Sequence, residues 1–192
     1  MTYTSSHGTL KTSLKHELEK NKYDLILMGY EKQCMIDYRF IDEITIPIWI
    51  DGGGYHKSIL AICSNLAPNQ KVPDISKKLS EAFKWNLFML YIIDTQDSVT
   101  VDINGKRSTK KHKQDLLLSR QSFIQQMENK QITVKTVEGS FEQQTIKEAN
   151  RIEAGLVIIG REQKQKGKFG LPVKNIKQKM AEKCKYSLLF IN

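Results

Sequence analysis

The chain carries one short pattern twice, and this repeat constrains its fold more than any single motif. Residues 24–29 read Asp-Leu-Ile-Leu-Met-Gly, and residues 155–160 read Gly-Leu-Val-Ile-Ile-Gly. Each copy is an apolar run that ends in glycine, and a further apolar strand follows it, 46–50 in the first copy and 187–191 in the second. Internal repetition indicates a repeated supersecondary unit. The first copy is incomplete, because nothing before residue 10 resembles the strands that precede the second.

The rest of the chain alternates predicted strands and helices, giving five strands and four helices. The nearly continuous apolar runs 58–63 and 86–93 are typical of parallel strands that are covered on both faces. This alternation predicts a three-layer α/β/α fold with a five-stranded parallel sheet and right-handed crossovers. The three glycines at 52–54 mark a boundary. We therefore predict a partial repeat over 1–54 and a complete domain over 55–192.

Two local signals refine this outline. Ser140 with Gln143 three residues later predicts a capping box at the start of a helix. The polar segment 94–113 is predicted to be a loop, with a short hairpin closed at Asn104-Gly105 as the alternative.

Charge and composition exclude several classes of function. The formal net charge of +9 favours polyanionic partners. Aromatic residues do not interleave with the basic clusters 106–113 and 164–168, so nucleic acid is not a predicted partner. The three cysteines are odd in number and far apart, and the four histidines show no ligand spacing. Neither a disulfide framework nor a metal site is predicted.

The sequence also bears on location. No apolar stretch approaches the ~20 residues that a membrane-spanning helix requires, and the polar residues 1–8 lack the apolar centre of a signal peptide. We therefore predict a cytoplasmic protein without direct membrane insertion.

Three segments carry a resemblance to a known family. Residues 137–140, read as Val-Glu-Gly-Ser before a helix, the glycine strand 155–160, and the closing strand 185–191 together resemble the universal stress protein family. The resemblance covers 57–192 as one complete domain and about 10–51 as the second half of another. It implies the strand order 3-2-1-4-5 for the complete domain.

The resemblance also implies a mode of assembly. Members of this family pair through their last strands. We therefore expect either a homodimer or an intramolecular pairing, in both cases through strands 46–50 and 187–191, together with an unidentified protein partner.

The resemblance further implies a phosphate site, from which this chain departs. Family members that bind ATP resemble one another in the pattern G-x2-G-x9-G-[S/T] after the fourth strand and in an acidic residue after the first. Glycines let backbone N–H groups approach phosphate. Gly160 fits the first glycine, but Gln163 replaces the second, and Pro172 removes a donor N–H near the third.

The positions that remain imply a degenerate phosphate site. It comprises Ser64, Asn65, Asp94, Gly160, Lys164, Gly167, Lys168, Gly170 and Lys174. Ser64 or Asn65 occupies the place of the acidic residue. No cofactor is predicted, with ATP as the alternative, because lysines in this loop can hold phosphate as point charges.

The sequence contains no catalytic constellation, neither a Gly-x-Ser-x-Gly elbow nor a phosphate-binding Gly-x4-Gly-Lys-Ser/Thr loop. Cys63 lies within an apolar strand, whereas a nucleophilic thiol needs an open, electropositive setting. We predict a non-catalytic stress-response or regulatory module that acts through dimerisation and partner binding. The alternatives are a nucleotide-sensing domain that uses the lysine-rich loop 160–174, and a cytosolic regulatory domain of a larger transporter-type protein.

Overall fold

The structure is a computed structural model. It describes residues 5, 7–29, 41, 44–65, 69–94, 100–101, 107–108, 113–160 and 185–191. The described helices are α1 (Leu10–Lys20), α2 (Lys71–Phe83), α3 (Lys113–Asn129) and α4 (Phe141–Arg151). The strands are β1 (Ile26–Gly29), β2 (Ile48–Asp51), β3 (Ser58–Ser64), β4 (Asn86–Ile93), β5 (Thr100–Val101), β6 (Arg107–Ser108), β7 (Val134–Glu138), β8 (Leu156–Gly160) and β9 (Ser187–Ile191). Within these residues no helix is both long enough and apolar enough to cross a bilayer.

Seven strands form one sheet in the order β1-β2-β9-β8-β3-β4-β7. Neighbouring strands are parallel except β2 and β9, which are antiparallel. The α/β class is confirmed, and β3, β4, β7, β8 and β9 keep the relative order 3-2-1-4-5. The predicted count of five strands is wrong, and the order of the whole sheet differs, because β1 and β2 extend it. Two strands and a helix bury too little surface to be stable alone.

The segment predicted mainly as a loop contains the short strands β5 and β6. They pair antiparallel, with Thr100 opposite Ser108 and Val101 opposite Arg107. The pairing agrees with the hairpin alternative, whose predicted turn at Asn104-Gly105 lies outside the described residues. The pairing lies outside the main sheet.

The join between β2 and β9 connects the N-terminal strands to the rest of the sheet. Ile48 lies opposite Phe190, and the Gly52 N–H donates to Ser187 Oγ at 3.1 Å. Ser187 Oγ in turn donates to Asp51 Oδ1 at 2.8 Å. Strands 46–50 and 187–191 thus meet within one chain, while assembly as a homodimer stays a prediction.

Both faces of the sheet are buried. One face packs against α1 and α4; its buried residues include Ile48, Ile50, Leu60, Leu90, Val157 and Phe190. The other face packs against α2 and α3; its buried residues include Ile59, Ala61, Tyr91, Leu156, Ile158 and Leu189. Burial on both faces explains why the central strands read as continuous apolar runs.

A buried carboxylate joins α4 to the edge strand β7. Glu148, only 6% exposed, accepts from Arg151 Nη2 at 2.6 Å and from Lys135 Nζ at 2.7 Å. The hydrogen bond from Arg151 and, after it, that from Lys135 hold the pKa of Glu148 below its ordinary value of 4.5, although burial opposes them. Its charged form is therefore favoured by folding.

A substitution at Glu148 should change the acid stability. Because the folded-state pKa is lowered, the carboxylate contributes stability above pH 4.5 and loses it as the pH falls through the folded-state value. We expect Glu148→Gln to lower the free energy of unfolding by about 1 kcal/mol at neutral pH, with the difference shrinking in acid. Urea denaturation at several pH values measures this. The control Glu81→Gln, at an exposed position, should change the stability at neutral pH little, and a Glu148→Gln effect independent of pH would contradict the assignment.

Candidate functional site at the carboxyl ends of the strands

Several predicted site residues meet where β3, β4 and β8 end. These strands are parallel neighbours, so their carboxyl ends lie at the same edge of the sheet, where ligands bind in open α/β folds. Ser64 is the last residue of β3, Asn65 follows it, Asp94 follows β4, and Gly160 ends β8. Ser64, Asn65 and Asp94 are buried, with exposures of 1%, 5% and 5%.

The Asn65 amide ties the end of β3 to the end of β4. Its Nδ2 donates to the Asp94 carbonyl oxygen at 3.3 Å, and its Oδ1 accepts from the Asp94 N–H at 2.7 Å. A buried amide that is paired on both sides is stabilising, whereas an unpaired one would be costly. The side chain at the predicted position of the acidic residue is therefore engaged by the protein's own backbone.

The Asp94 carboxylate lies at the start of α4. Its Oδ2 accepts from the Phe141 N–H at 2.8 Å in a buried setting. A helix N-terminus exposes unpaired N–H groups and favours negative charge, so this contact stabilises the helix. Asp94 links the ends of β3 and β4 to α4, which gives this predicted site residue a structural role.

The predicted capping box at the start of α4 is wrong. Ser140 is the N-cap residue but makes no side-chain cap hydrogen bond. Gln144 Nε2 donates to the Glu138 carbonyl oxygen at 3.1 Å. Asp94, distant in sequence, brings its carboxylate to the N–H of Phe141, the first helical residue. This is not one of the N–H groups that a capping box would bind.

Asn69 covers the first glycine of the predicted phosphate site. A Cβ placed on Gly160 would lie 2.4 Å from the Asn69 Cβ, so glycine is needed for this close approach. Asn69 Nδ2 donates to the Ile191 carbonyl oxygen at 3.3 Å, and its Oδ1 accepts from the Lys71 N–H at 2.9 Å. Asn69 thus connects the ends of β8 and β9 to the start of α2.

Asn69 was not among the predicted site residues. One signal pointed to it, since asparagine is favoured next to a helix start, where its side chain bonds backbone N–H groups. That signal predicts a cap. It gives no hint that the same side chain would pack on Gly160.

The remaining predicted site residues lie outside the described part of the chain. They are Lys164, Gly167, Lys168, Gly170 and Lys174. Their participation in a phosphate site stays a prediction.

Two buried ionisable groups near this edge are poor candidates for chemistry at neutral pH. Burial raises the pKa of the Cys63 thiol to about 12. Burial, and secondarily Cys63, raises the pKa of Tyr91 to about 12, and its ring packs at a tilt against Phe123 with a centroid distance of 4.9 Å. Over the described residues, no group of three or more His, Cys, Asp and Glu side chains could hold a metal ion.

Matches to known proteins come only from the comparison with solved structures. No family model matches the sequence, and no curated protein matches it either. A protein from Pseudomonas aeruginosa UCBPP-PA14 assigned to the universal stress proteins superposes with a TM-score of 0.68 and 11% identity, over 96% of this chain and 69% of that one.

Two further solved structures agree with this match. A protein of unknown function from Pseudomonas aeruginosa PAO1 gives a TM-score of 0.67 at 11% identity, over 96% of this chain and 68% of its own. A universal stress protein from Archaeoglobus fulgidus gives a TM-score of 0.57 at 10% identity, over 95% of this chain and 64% of its own.

The chain therefore has the fold of the universal stress proteins, and the predicted resemblance is confirmed at the level of fold. The matched regions span nearly all of this chain, so they include most of the N-terminal segment as well as the domain that follows it. The origin of residues 1–54 as a partial repeat stays a prediction.

Proposed function

We propose that this chain is a non-catalytic regulatory module of the stress-response type, which acts by associating with protein and not by using ATP at the strand edge. The observation that carries the proposal is the state of that edge. The amides of Asn65 and Asn69 and the carboxylate of Asp94 are all engaged by backbone groups of the chain itself. The edge is built as a structural junction.

Binding a nucleotide in the manner of the family would disturb this junction. A phosphate that approached the Gly160 backbone would meet the Asn69 side chain, which packs directly over it. Moving Asn69 would break its bonds to Ile191 and Lys71, at a net cost of about 1 kcal/mol for each bond. Asn65 carries no charge and has both amide atoms occupied. These costs support weak affinity for ATP.

The same side chains support a non-catalytic role. General acid–base and nucleophilic catalysis need a base within reach of a reactive group. The carboxylate of Asp94 already accepts a buried helix N–H, and the Cys63 thiol is 2% exposed with a raised pKa. Described groups at this edge are thus arranged to hold the fold together.

Calorimetric titration of the whole chain with ATP, AMP and GTP tests the proposal. We expect no nucleotide to bind with a Kd tighter than about 1 mM. Micromolar binding would overturn the proposal and favour nucleotide sensing through the loop 160–174. In that case Lys164→Ala with Lys168→Ala should weaken binding, whereas the control pair Lys57→Ala with Lys185→Ala, at the amino ends of β3 and β9, should not.

A further inference from the structure

The two edges of the main sheet differ in chemistry. The sheet ends at β7 on one side and at β1 on the other. The β7 strand carries Lys135 and Glu138, and charge on an edge strand discourages pairing with other molecules. The β1 strand, Ile-Leu-Met-Gly, carries no charge, and Leu27 is 68% exposed. The β1 edge therefore lacks the protection that β7 has.

The backbone of β1 presents hydrogen-bonding groups outward. The Ile26 N–H donates to the Pro47 carbonyl oxygen at 3.0 Å, on the side of β2. Since successive residues in a strand point their N–H and C=O groups to opposite sides, those of Leu25, Leu27 and Gly29 point away from β2. No described strand pairs with that side. A row of donors and acceptors that no described strand meets fits another β-strand.

The apolar side chains beside this edge form a strip on one face of the sheet. Ile26 and Met28 pack on the face that α1 covers, so Leu25 and Leu27 lie on the opposite face. Leu27 is level with Trp49 in the neighbouring strand, and Leu25 is 44% exposed. Trp49 contacts Phe83 at a ring-centroid distance of 6.2 Å. The strip continues from the β1 edge to the end of α2.

We propose that the outer edge of β1 is an assembly surface and that a second copy of this chain occupies it, strand against strand and antiparallel. The proposal rests on the proposed function, because it names the protein that the module associates with. Centring the pair on Ile26 sets Leu25 opposite the second copy's Leu27. The two strands then exchange backbone hydrogen bonds, and the leucines of both copies form one apolar cluster on one face.

Two features favour a second copy over an unrelated strand. The register centred on Ile26 is self-complementary, because a two-fold axis repeats each leucine contact. This register also places Asp24 opposite Met28, so no like charges meet within residues 23–29. The main sheet already continues across one antiparallel join, between β2 and β9. Those two strands have neighbours on both sides, so a further copy can extend the sheet only at its edges.

Light scattering after size-exclusion chromatography, over roughly a hundredfold range of concentration, tests the proposal. We expect the 22.2 kDa chain to approach twice its mass at high concentration, because a single strand pair gives a small, weak interface. Leu27→Lys should weaken dimerisation at least about tenfold. The matched control Leu118→Lys, on α3 and 62% exposed, should leave it unchanged.

A double variant tests the register. In Leu25→Glu combined with Leu27→Lys, the new carboxylate of one copy faces the new ammonium of the other, so dimerisation should recover. Failure to recover would reject the antiparallel pairing. If Leu27→Lys does not fold, as judged by circular dichroism, Leu25→Pro removes an outward N–H without touching the bonds to β2, and it should also give a monomer.

A wild-type chain that stays monomeric over the whole range would overturn the inference, as would a Leu27→Lys variant that dimerises normally. Nucleotide titrations on the same samples separate the two proposals. A dimer that binds ATP at micromolar concentration overturns the proposed function alone. A monomer that binds no nucleotide overturns this inference alone.

Discussion

Replacing Gly155 by alanine is expected to lower the free energy of unfolding by about 3 kcal/mol, the upper end of the usual range for overpacking. A Cβ at this position would lie 1.8 Å from the His56 carbonyl oxygen and 2.8 Å from its carbonyl carbon. Backbone atoms cannot rotate aside as a side chain can. Relieving the overlap between the added Cβ and the His56 carbonyl group requires β3 and β8 to separate near their amino ends. There the Gly155 N–H donates to the Ser58 carbonyl oxygen at 2.9 Å.

Gly54→Ala is the matched control, because nothing lies within 4 Å of the Cβ that it would add. We expect it to be neutral within about 0.5 kcal/mol. Urea denaturation followed by circular dichroism measures both variants. Equal stability of Gly155→Ala and Gly54→Ala would show that the chain can move His56 away at little cost, and the account of this contact would then be wrong.

Replacing Asp94 by alanine is expected to cost about 2 kcal/mol. The substitution removes the acceptor for the Phe141 N–H. This N–H would then be unpaired in a buried setting, since the Phe141 side chain is only 4% exposed. Asp94→Asn keeps an oxygen acceptor but loses the negative charge at the helix start, so it should cost less. Amide exchange at Phe141 should accelerate in Asp94→Ala, since its hydrogen bond is lost.

The control for Asp94 is Asp74→Ala on α2. The Asp74 carboxylate pairs with Lys130, and both side chains are more than a third exposed, so the substitution should cost about 0–1 kcal/mol. If Asp94→Ala is no more destabilising than Asp74→Ala, the carboxylate does not hold the start of α4, and Asp94 becomes available for a functional role.

The strands of the main sheet were predictable where burial on both faces leaves a local signature. The runs 58–63 and 86–93 are nearly continuously apolar, and they form most of β3 and all of β4. The position of β1 and β2 in the sheet was harder to predict from sequence, because their short apolar runs suit a separate unit or an extended sheet equally well. Only the pairing of β2 with β9 distinguishes these arrangements.

At the carboxyl ends of the strands, too, local sequence predicted some features and only the tertiary structure decided others. The family resemblance implied that Gly160 lets its backbone approach phosphate, and that role stays a prediction. The described structure places Asn69 there. Likewise Ser140 and Gln143 satisfy a capping pattern, yet the carboxylate that contacts the helix start comes from Asp94. Local patterns cannot reveal a side chain that arrives from another strand.

The repeat illustrates what each level determines. Sequence alone determined that two apolar runs, 24–29 and 155–160, form strands of an α/β protein, because hydrophobic periodicity and glycine punctuation are local properties. Tertiary structure decided that the second run is buried in the middle of the sheet, while the first forms the last strand on one side of the sheet that the structure describes. The reason is physical: burial depends on which strands lie alongside, and that is set by pairing between residues far apart in the chain.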